Sequence, residues 1–122
     1  THLNAHPAVE WVSYPGLETD KYHQLARRYT PLGSGSVFTI GLKGGYEAGV
    51  KLVANLQLFS HVANIGDTRS LVIHPASTTH RQLSPADKAA AKVGPETVRL
   101  SIGLESVEDL IADVEQALAQ IG

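Results

Sequence analysis

Apolar residues recur along this chain with two different periods, and the places where the period changes outline the predicted elements. A period of two is typical of half-buried strands, whereas a period of 3.6 is typical of amphipathic helices. The pattern predicts strands at 9–14, 36–42 and 61–65, a short strand that ends at His74-Pro75, and a last strand that begins at Val98. With the four helices between and after them, the predicted order is β-α-β-α-β-β-α-β-α.

The four predicted helices differ in how clearly the sequence marks them. The first begins near Thr19 and runs for about three turns; the second follows the Lys43-Gly44-Gly45 turn. Ser84 and Ser106 are the N-caps of the third and fourth, and Gly94-Pro95 stops the third after Val93. Three of the helices, the first, second and fourth, each carry an apolar stripe: Tyr22, Leu25, Ala26 and Tyr29; Tyr46, Gly49, Val50 and Val53; and Val107, Leu110, Ile111, Val114, Leu118 and Ile121.

The spacing of the strands predicts how they are arranged. The strands on either side of Gly66 are too closely connected for a parallel crossover, which predicts an at least partly antiparallel sheet. Helices with one apolar stripe each then cover one face. In the last strand Arg99 alternates with Val98 and Leu100, so it points to the uncovered face. The predicted fold class is α+β, a mostly antiparallel sheet with helices packed on one face.

Composition narrows the class of protein. The chain has 122 residues, a formal charge of −2 and no cysteine, which argues against nucleic-acid or membrane partners and excludes disulfides and thiolate metal sites. No secretory signal or membrane span is expected, so we predict a cytoplasmic protein.

We interpret residues 1–8 as a tail or linker remnant and residues 9–122 as one domain. Because the chain starts at Thr1 and contains no methionine, we expect it to be part of a longer protein.

Three groups of residues are of types found in metal sites, phosphate-binding loops or catalytic triads, but their spacing does not favour these sites. The six histidines lack metal-ligand spacing, so no metal site is predicted and they are expected at the surface or in loops. The glycines between 41 and 49 lack the phosphate-loop pattern, and a tight turn with a close-packing Gly49 is favoured. Residues 77–80 have no acidic neighbour for a triad, and a turn that satisfies its own backbone is favoured.

Arg99 and Ser70 are the candidate binding residues. An arginine on a rigid strand, with its side chain pointing away from the core, can bind a carboxylate, because its planar set of N–H donors matches two carboxylate oxygens. The alternative is a cross-strand salt bridge. Ser70, at the entrance of the short strand, has a similar alternative, a hydroxyl that bonds local backbone. The residues alone leave both alternatives open.

Two segments carry a resemblance to a known family. They are Asn64-Ile65-Gly66-Asp67-Thr68-Arg69-Ser70-Leu71-Val72 through His74-Pro75-Ala76-x-x-Thr79-His80, and Val98-Arg99-Leu100-Ser101-Ile102-Gly103-Leu104-Glu105. They resemble the C-terminal domain of the pyridoxal-phosphate (PLP)-dependent enzymes of cysteine and methionine metabolism. The Gly-Asp-Thr-Arg-Ser form resembles the O-acetylhomoserine sulfhydrylases; cystathionine synthases and lyases usually have glutamate where this chain has Arg69.

The resemblance implies the small domain of a fold-type I PLP-dependent transferase. It also implies that Arg99 grips the substrate α-carboxylate, that Ser70 helps, and that the full-length protein makes homocysteine from O-acetyl-L-homoserine and sulfide. The implied partners are the protein's own large PLP-binding domain, further copies in a dimer or tetramer, and a small amino-acid substrate. No lysine here has the family's Ser-x-x-Lys setting and no cofactor-binding residue is identifiable, so this part alone is predicted to be inactive.

Two alternatives remain at this point. The first is another member of the family, a cystathionine γ-synthase or a methionine γ-lyase. The second is a free-standing, non-catalytic α+β binding module. Arg69 argues against the first, and the uncovered face of the sheet argues against the second.

Overall fold

The computed structural model describes residues 1–91 and 93–121, without the side chains of three residues of the third helix. Its strands are β1 Val9–Ser13, β2 Val37–Leu42, β3 Ser60–His61, β4 Leu71–Ile73 and β5 Thr97–Ser101. Its helices are α1 His23–Tyr29, α2 Gly45–Asn55, α3 Pro85–Ala90 and α4 Val107–Leu118, with 3₁₀ turns at Leu3–Ala5 and Pro75–Ser77. No helix in the described ranges is long and apolar enough to cross a membrane.

The five strands form one sheet in the order β1-β2-β5-β4-β3. The pairs β1–β2, β2–β5 and β5–β4 are antiparallel, which confirms the predicted α+β class. The expectation for the strands on either side of Gly66 was wrong, because β3 and β4 run parallel through Ser60–Leu71 and His61–Val72. With only two residues in β3, the chain has less than about 7 Å of strand to retrace, so a short loop is sufficient.

One face of the sheet carries the core, under α2 and α4. Ile40, Val98 and Leu100 are at most 1% exposed, and they pack against Leu52 of α2 and Val114 of α4. Helices packed on one face are therefore observed as predicted. The opposite face of the sheet carries Arg99.

The apolar stripe of α2 differs from prediction. In α2 the buried residues are Ala48, Gly49 and Leu52, while Tyr46 is 42% exposed. The sequence of this segment fits both the predicted stripe and the observed one, which share Gly49. The helical period alone does not determine which of the two is buried. Close packing of Gly49 is confirmed, because a Cβ there would lie 2.5 Å from His74 Cδ2.

The first helix is shorter and more exposed than predicted. Asp20 accepts hydrogen bonds from the backbone N–H groups of Tyr14 and Tyr22, which forms a turn where the prediction begins the helix. In α1 no residue is buried, and Leu25 and Tyr29 are 50% and 70% exposed. The stripe exists in the sequence, but it does not face this chain's core.

The predicted turn and caps are largely confirmed. Gly44 and Gly45 adopt φ of 108° and 63°, conformations that strain any residue with a Cβ. Ser84 and Ser106 accept from the backbone N–H groups of Asp87 and Asp109. However, α3 ends at Ala90 rather than at Val93, because a Gly-Pro pair sets only the last residue that a helix can reach.

Candidate functional site

Arg99 lies in the middle of the open face of the sheet. Its strand neighbours Val98 and Leu100 are buried in the core, and it is paired with Thr39 of β2 and Ile73 of β4. Because β5 is hydrogen-bonded on both sides, the backbone that carries Arg99 is held firmly. The predicted direction of this side chain, away from the core, is confirmed.

A cleft of about 390 Å³ opens over this face. Its polar lining comes from three strands and from the segment after Pro75: Trp11, Thr39, Thr79, His80, Thr97 and Arg99. A larger cavity of about 480 Å³ lies on the helix-covered face, between the sheet and α4. That second cavity is lined mainly by apolar residues such as Phe38 and Leu110, so the Arg99 cleft is the better candidate for an anionic ligand.

The guanidinium group of Arg99 is only partly engaged. Its Nη2 donates to the carbonyl oxygen of Asn64 at 3.2 Å, and Ser101 Oγ donates to the same oxygen at 3.5 Å. Within residues 1–91 and 93–121 no ion pair involves Arg99, so the alternative of a cross-strand salt bridge is not observed there. Most of its five N–H donors remain available to a ligand.

Ser70 has a different environment. It is fully buried immediately before β4, and its N–H and its hydroxyl each donate to one carboxylate oxygen of Glu105 at 2.7 Å. Its hydroxyl also accepts from Gly103 N at 2.9 Å. No hydrogen bond joins Ser70 to Arg99 in the described part of the chain. In this structure the hydroxyl hydrogen is used by Glu105.

Two acidic residues fix the loop between β3 and β4. The N–H and hydroxyl groups of Ser70 hold the pKa of Glu105 below its ordinary value. Arg69 donates through Nε and Nη2 to both carboxylate oxygens of Asp67, which lowers the pKa of Asp67 and raises the pKa of Arg69. The charge of Arg69 is thereby neutralised locally, in contrast with that of Arg99.

The roles of Asn64 and Glu105 were missed from the sequence. Asn64 contributes its main-chain oxygen to Arg99, and a main-chain contact leaves no signal in residue type. Glu105 lies 35 residues from Ser70, a separation for which no spacing rule exists. Only the strand pairing of β4 with β5 brings these loops together.

Replacing Glu105 with glutamine is expected to destabilise the chain at neutral pH. Glutamine offers one acceptor oxygen where two are needed by Ser70. Because the folded-state pKa of Glu105 is depressed, the carboxylate's contribution is present above the ordinary carboxyl range and is lost as the pH falls through that lower pKa. Thermal melts from pH 7 to pH 3 should therefore show a lower midpoint for Glu105→Gln at pH 7 and a gap that closes in acid.

Glu10→Gln, an exposed glutamate of β1, is the matched control for this experiment. It should melt with the parent chain throughout the same range. A gap between Glu105→Gln and the parent that persists unchanged at pH 3 would contradict the assigned role of the carboxylate.

One histidine is buried. His74 lies between β4 and the 3₁₀ turn, in a loop as expected, but it is fully buried, with Nε2 2.7 Å from Pro95 O and Nδ1 2.9 Å from Ser77 Oγ. A buried imidazole of this kind escapes a pattern search because its partners come from a turn and a carbonyl. The predicted turn is confirmed, since Ser77 and Thr78 hydroxyls both donate to His74 O.

The described residues offer neither a lysine suited to bind PLP covalently nor a group of metal ligands. Lys21, Lys43 and Lys51 are exposed, and none of them lines the cleft; Lys92 and the side chain of Lys88 lie outside the described part. A lysine that forms a Schiff base needs a desolvated amine, so PLP does not fit these three lysines. Across the described residues no three His, Cys, Asp or Glu side chains are grouped to hold a metal ion.

Comparison with known proteins confirms the resemblance. A family model described as "Cys/Met metabolism PLP-dependent enzyme" matches residues 1–119. The chain is 58% identical over 113 residues to O-acetyl-L-homoserine sulfhydrylase 1 of Thermus thermophilus and 49% identical over 120 residues to O-acetyl-L-homoserine sulfhydrylase of Leptospira meyeri. These matches cover 93% and 98% of this chain but 27% of each relative.

A solved structure shows the same fold. It is a putative O-acetylhomoserine (thiol)-lyase of Campylobacter jejuni, which superposes with a TM-score of 0.89 at 43% identity. The match covers 96% of this chain and 28% of that one, which carries an N'-pyridoxyl-lysine-5'-monophosphate at its position 205. The chain thus spans about a quarter of the length of its relatives.

Proposed function

Because the chain belongs to the PLP-dependent enzymes of cysteine and methionine metabolism, we propose that it is the C-terminal part of an O-acetyl-L-homoserine sulfhydrylase. The proposed reaction replaces the acetate of O-acetyl-L-homoserine with sulfide and gives homocysteine. The observation that carries the proposal is Arg99, a guanidinium without an ion-pair partner among the described residues, on a rigid strand in an open cleft.

In this proposal Arg99 binds the substrate α-carboxylate. A guanidinium binds a carboxylate through two parallel N–H···O bonds, which fix the orientation of the carboxylate as well as its position. The bond from Nη2 to Asn64 O steadies one side of the fork and leaves other N–H groups for the ligand. Orientation of this kind lowers the entropic part of a reaction barrier.

We propose that Ser70 supports the site indirectly, without contacting the substrate. Direct donation to a carboxylate would require its hydroxyl to leave Glu105 Oε2. In the observed arrangement Ser70 instead ties residues 103–105 to the start of β4. That link holds the chain after β5 against the loop whose Asn64 contacts Arg99.

The remaining parts of the proposed enzyme lie outside this chain. The family depends on PLP, which, when bound, supplies an electron sink for reactions at the α-carbon of an amino acid. We propose that a large domain of the same protein binds PLP, that the protein assembles as a dimer or tetramer, and that it is cytoplasmic. This chain contributes the carboxylate-binding face.

A second candidate is favoured by one further relative. The chain is 47% identical over 119 residues to L-methionine gamma-lyase of Fusobacterium nucleatum subsp. polymorphum. The two candidates differ in their products, so purified full-length protein should be assayed with O-acetyl-L-homoserine plus sulfide and, separately, with L-methionine. Homocysteine formation in the first assay supports the proposal, whereas methanethiol release as the main activity supports the lyase.

Mixing the 122-residue chain with PLP should give no specific covalent adduct, because the three described lysine side chains are exposed and lack the desolvation that activates an amine. The measurement is borohydride reduction followed by mass spectrometry of the intact chain and its peptides. Stoichiometric labelling of a single lysine would contradict the proposal that the cofactor is bound elsewhere.

A further inference from the structure

Thr97 has a buried hydroxyl without a partner. The residue is 4% exposed, and among the buried side-chain nitrogen and oxygen atoms of the described residues its Oγ1 alone makes no hydrogen bond. A buried polar group left unpaired destabilises the fold, so such groups are rare and call for a specific explanation. A missing ligand is one such explanation.

Thr97 is placed where a ligand of the Arg99 cleft can reach it. It lies two residues before Arg99 on the same face of β5, about 7 Å along the strand, and it lines the same cleft. Rotation about its Cα–Cβ bond from one staggered position to another changes the direction in which the hydroxyl points. The hydroxyl can therefore turn toward the cleft without movement of the strand.

Trp11 completes this end of the cleft. Across the sheet Thr97 is paired with Gly41, and Gly41 is paired with Trp11. A Cβ at Gly41 would collide with Trp11 Nε1 and Cε2, so the indole ring lies over the glycine, in the row of Thr97. This row of the sheet carries an indole N–H and a hydroxyl, and it lies two residues along β5 from Arg99.

We propose that Thr97, flanked by Trp11, is a second binding point of the cleft and donates to the acyl oxygen of a ligand whose carboxylate is bound by Arg99. The ligand class is an O-acylated amino acid, because a molecule of this class carries an α-carboxylate for the guanidinium of Arg99 and, at the far end of its side chain, a carbonyl oxygen that can accept from a hydroxyl. This inference rests on the proposed function and adds the residue that distinguishes acylated from non-acylated amino acids.

The test uses the full-length protein with Thr97→Val, which keeps the shape of the side chain and removes the hydroxyl. Losing one neutral hydrogen bond should raise the KM for O-acetyl-L-homoserine about three- to tenfold. Inhibition by L-2-aminobutyrate, which has the α-carboxylate but no acyl group, should be unchanged. Since the hydroxyl is unpaired without ligand, the melting midpoint of Thr97→Val should be equal to or above that of the parent.

Two variants serve as controls. Thr97→Ser keeps the hydroxyl and should retain the parent's KM. Thr30→Val makes the same chemical change at the exposed end of α1, where the hydroxyl donates to Ala26 O, and should leave the KM unchanged.

Two results would overturn the inference. One is a Thr97→Val protein with an unchanged KM, whatever its melting midpoint. The other is equal weakening of O-acetyl-L-homoserine and L-2-aminobutyrate. Failure of the proposed function has a separate signature, namely an Arg99→Ala protein that binds both compounds as tightly as the parent.

Discussion

Replacing Arg99 with alanine in the full-length protein is expected to lower kcat/KM for O-acetyl-L-homoserine by about 10- to 150-fold. The change removes a charge-assisted hydrogen bond to a carboxylate, which contributes about 1.5–3 kcal/mol. Because the carboxylate is bound in both the ground state and the transition state, much of the loss should appear in KM. Steady-state kinetics with sulfide at saturation measures both parameters.

Three companion measurements isolate the role of the guanidinium. Arg99→Lys should recover only part of the loss, since an ammonium group cannot reproduce the planar fork. Arg27→Ala, an exposed arginine of α1, should behave as the parent. Thermal melts should show that Arg99→Ala still folds; wild-type kinetics, or activity lost only through unfolding, would mean that Arg99 is a structural residue.

Replacing Asp113 with alanine is expected to destabilise the chain by about 1–3 kcal/mol. Asp113 is 7% exposed, and its carboxylate accepts from the backbone N–H groups of Gln57 at 2.9 Å and Leu58 at 2.8 Å. Alanine removes the acceptor of these two partly buried bonds, and the donors left without a partner together cost about 1–3 kcal/mol. Urea unfolding of the chain measures the loss.

Two aspartate variants serve as controls for that experiment. Asp113→Asn keeps one carbonyl acceptor and should lose less than Asp113→Ala. Asp109→Ala changes an exposed aspartate in the first turn of the same helix, where the favourable interaction with the helix dipole is at most about 1 kcal/mol. Equal losses for Asp109→Ala and Asp113→Ala would show that Asp113 does not anchor residues 57 and 58.

Local patterns predicted those features of this chain that depend on neighbouring residues. The alternation of Val98, Arg99 and Leu100 was sufficient to place the guanidinium on the open face, because a strand turns successive side chains to opposite sides. The caps at Ser84 and Ser106 were predicted for the same reason, since a cap and its N–H partner lie within one turn.

Features that depend on long-range pairing were not predictable in this way. The parallel pairing of β3 with β4 follows from the shortness of β3, which no propensity indicates. Asp113 lies beside the apolar stripe of α4, where the sequence indicates an exposed aspartate. Its role is visible only in the fold, which places the backbone of residues 57 and 58 against it. For α1 the pattern was present, but the surface that would bury Leu25 does not belong to the described core.

The same difference between local and long-range features applies to the two candidate binding residues. Strand direction and residue type were enough to nominate Arg99, since an arginine off the core has few roles. They were not enough for Ser70, because a serine donates equally well to a ligand or to a neighbouring carboxylate. The contact with Glu105, 35 residues away, shows which of these the folded chain uses.

The most direct test of the account is a crystal structure of the full-length protein with O-acetyl-L-homoserine or a non-reactive analogue bound. We expect the α-carboxylate to be bound by the guanidinium of Arg99, with two N–H···O distances of about 2.7–2.9 Å. An α-carboxylate bound by other residues, with Arg99 paired to a protein carboxylate, would contradict it.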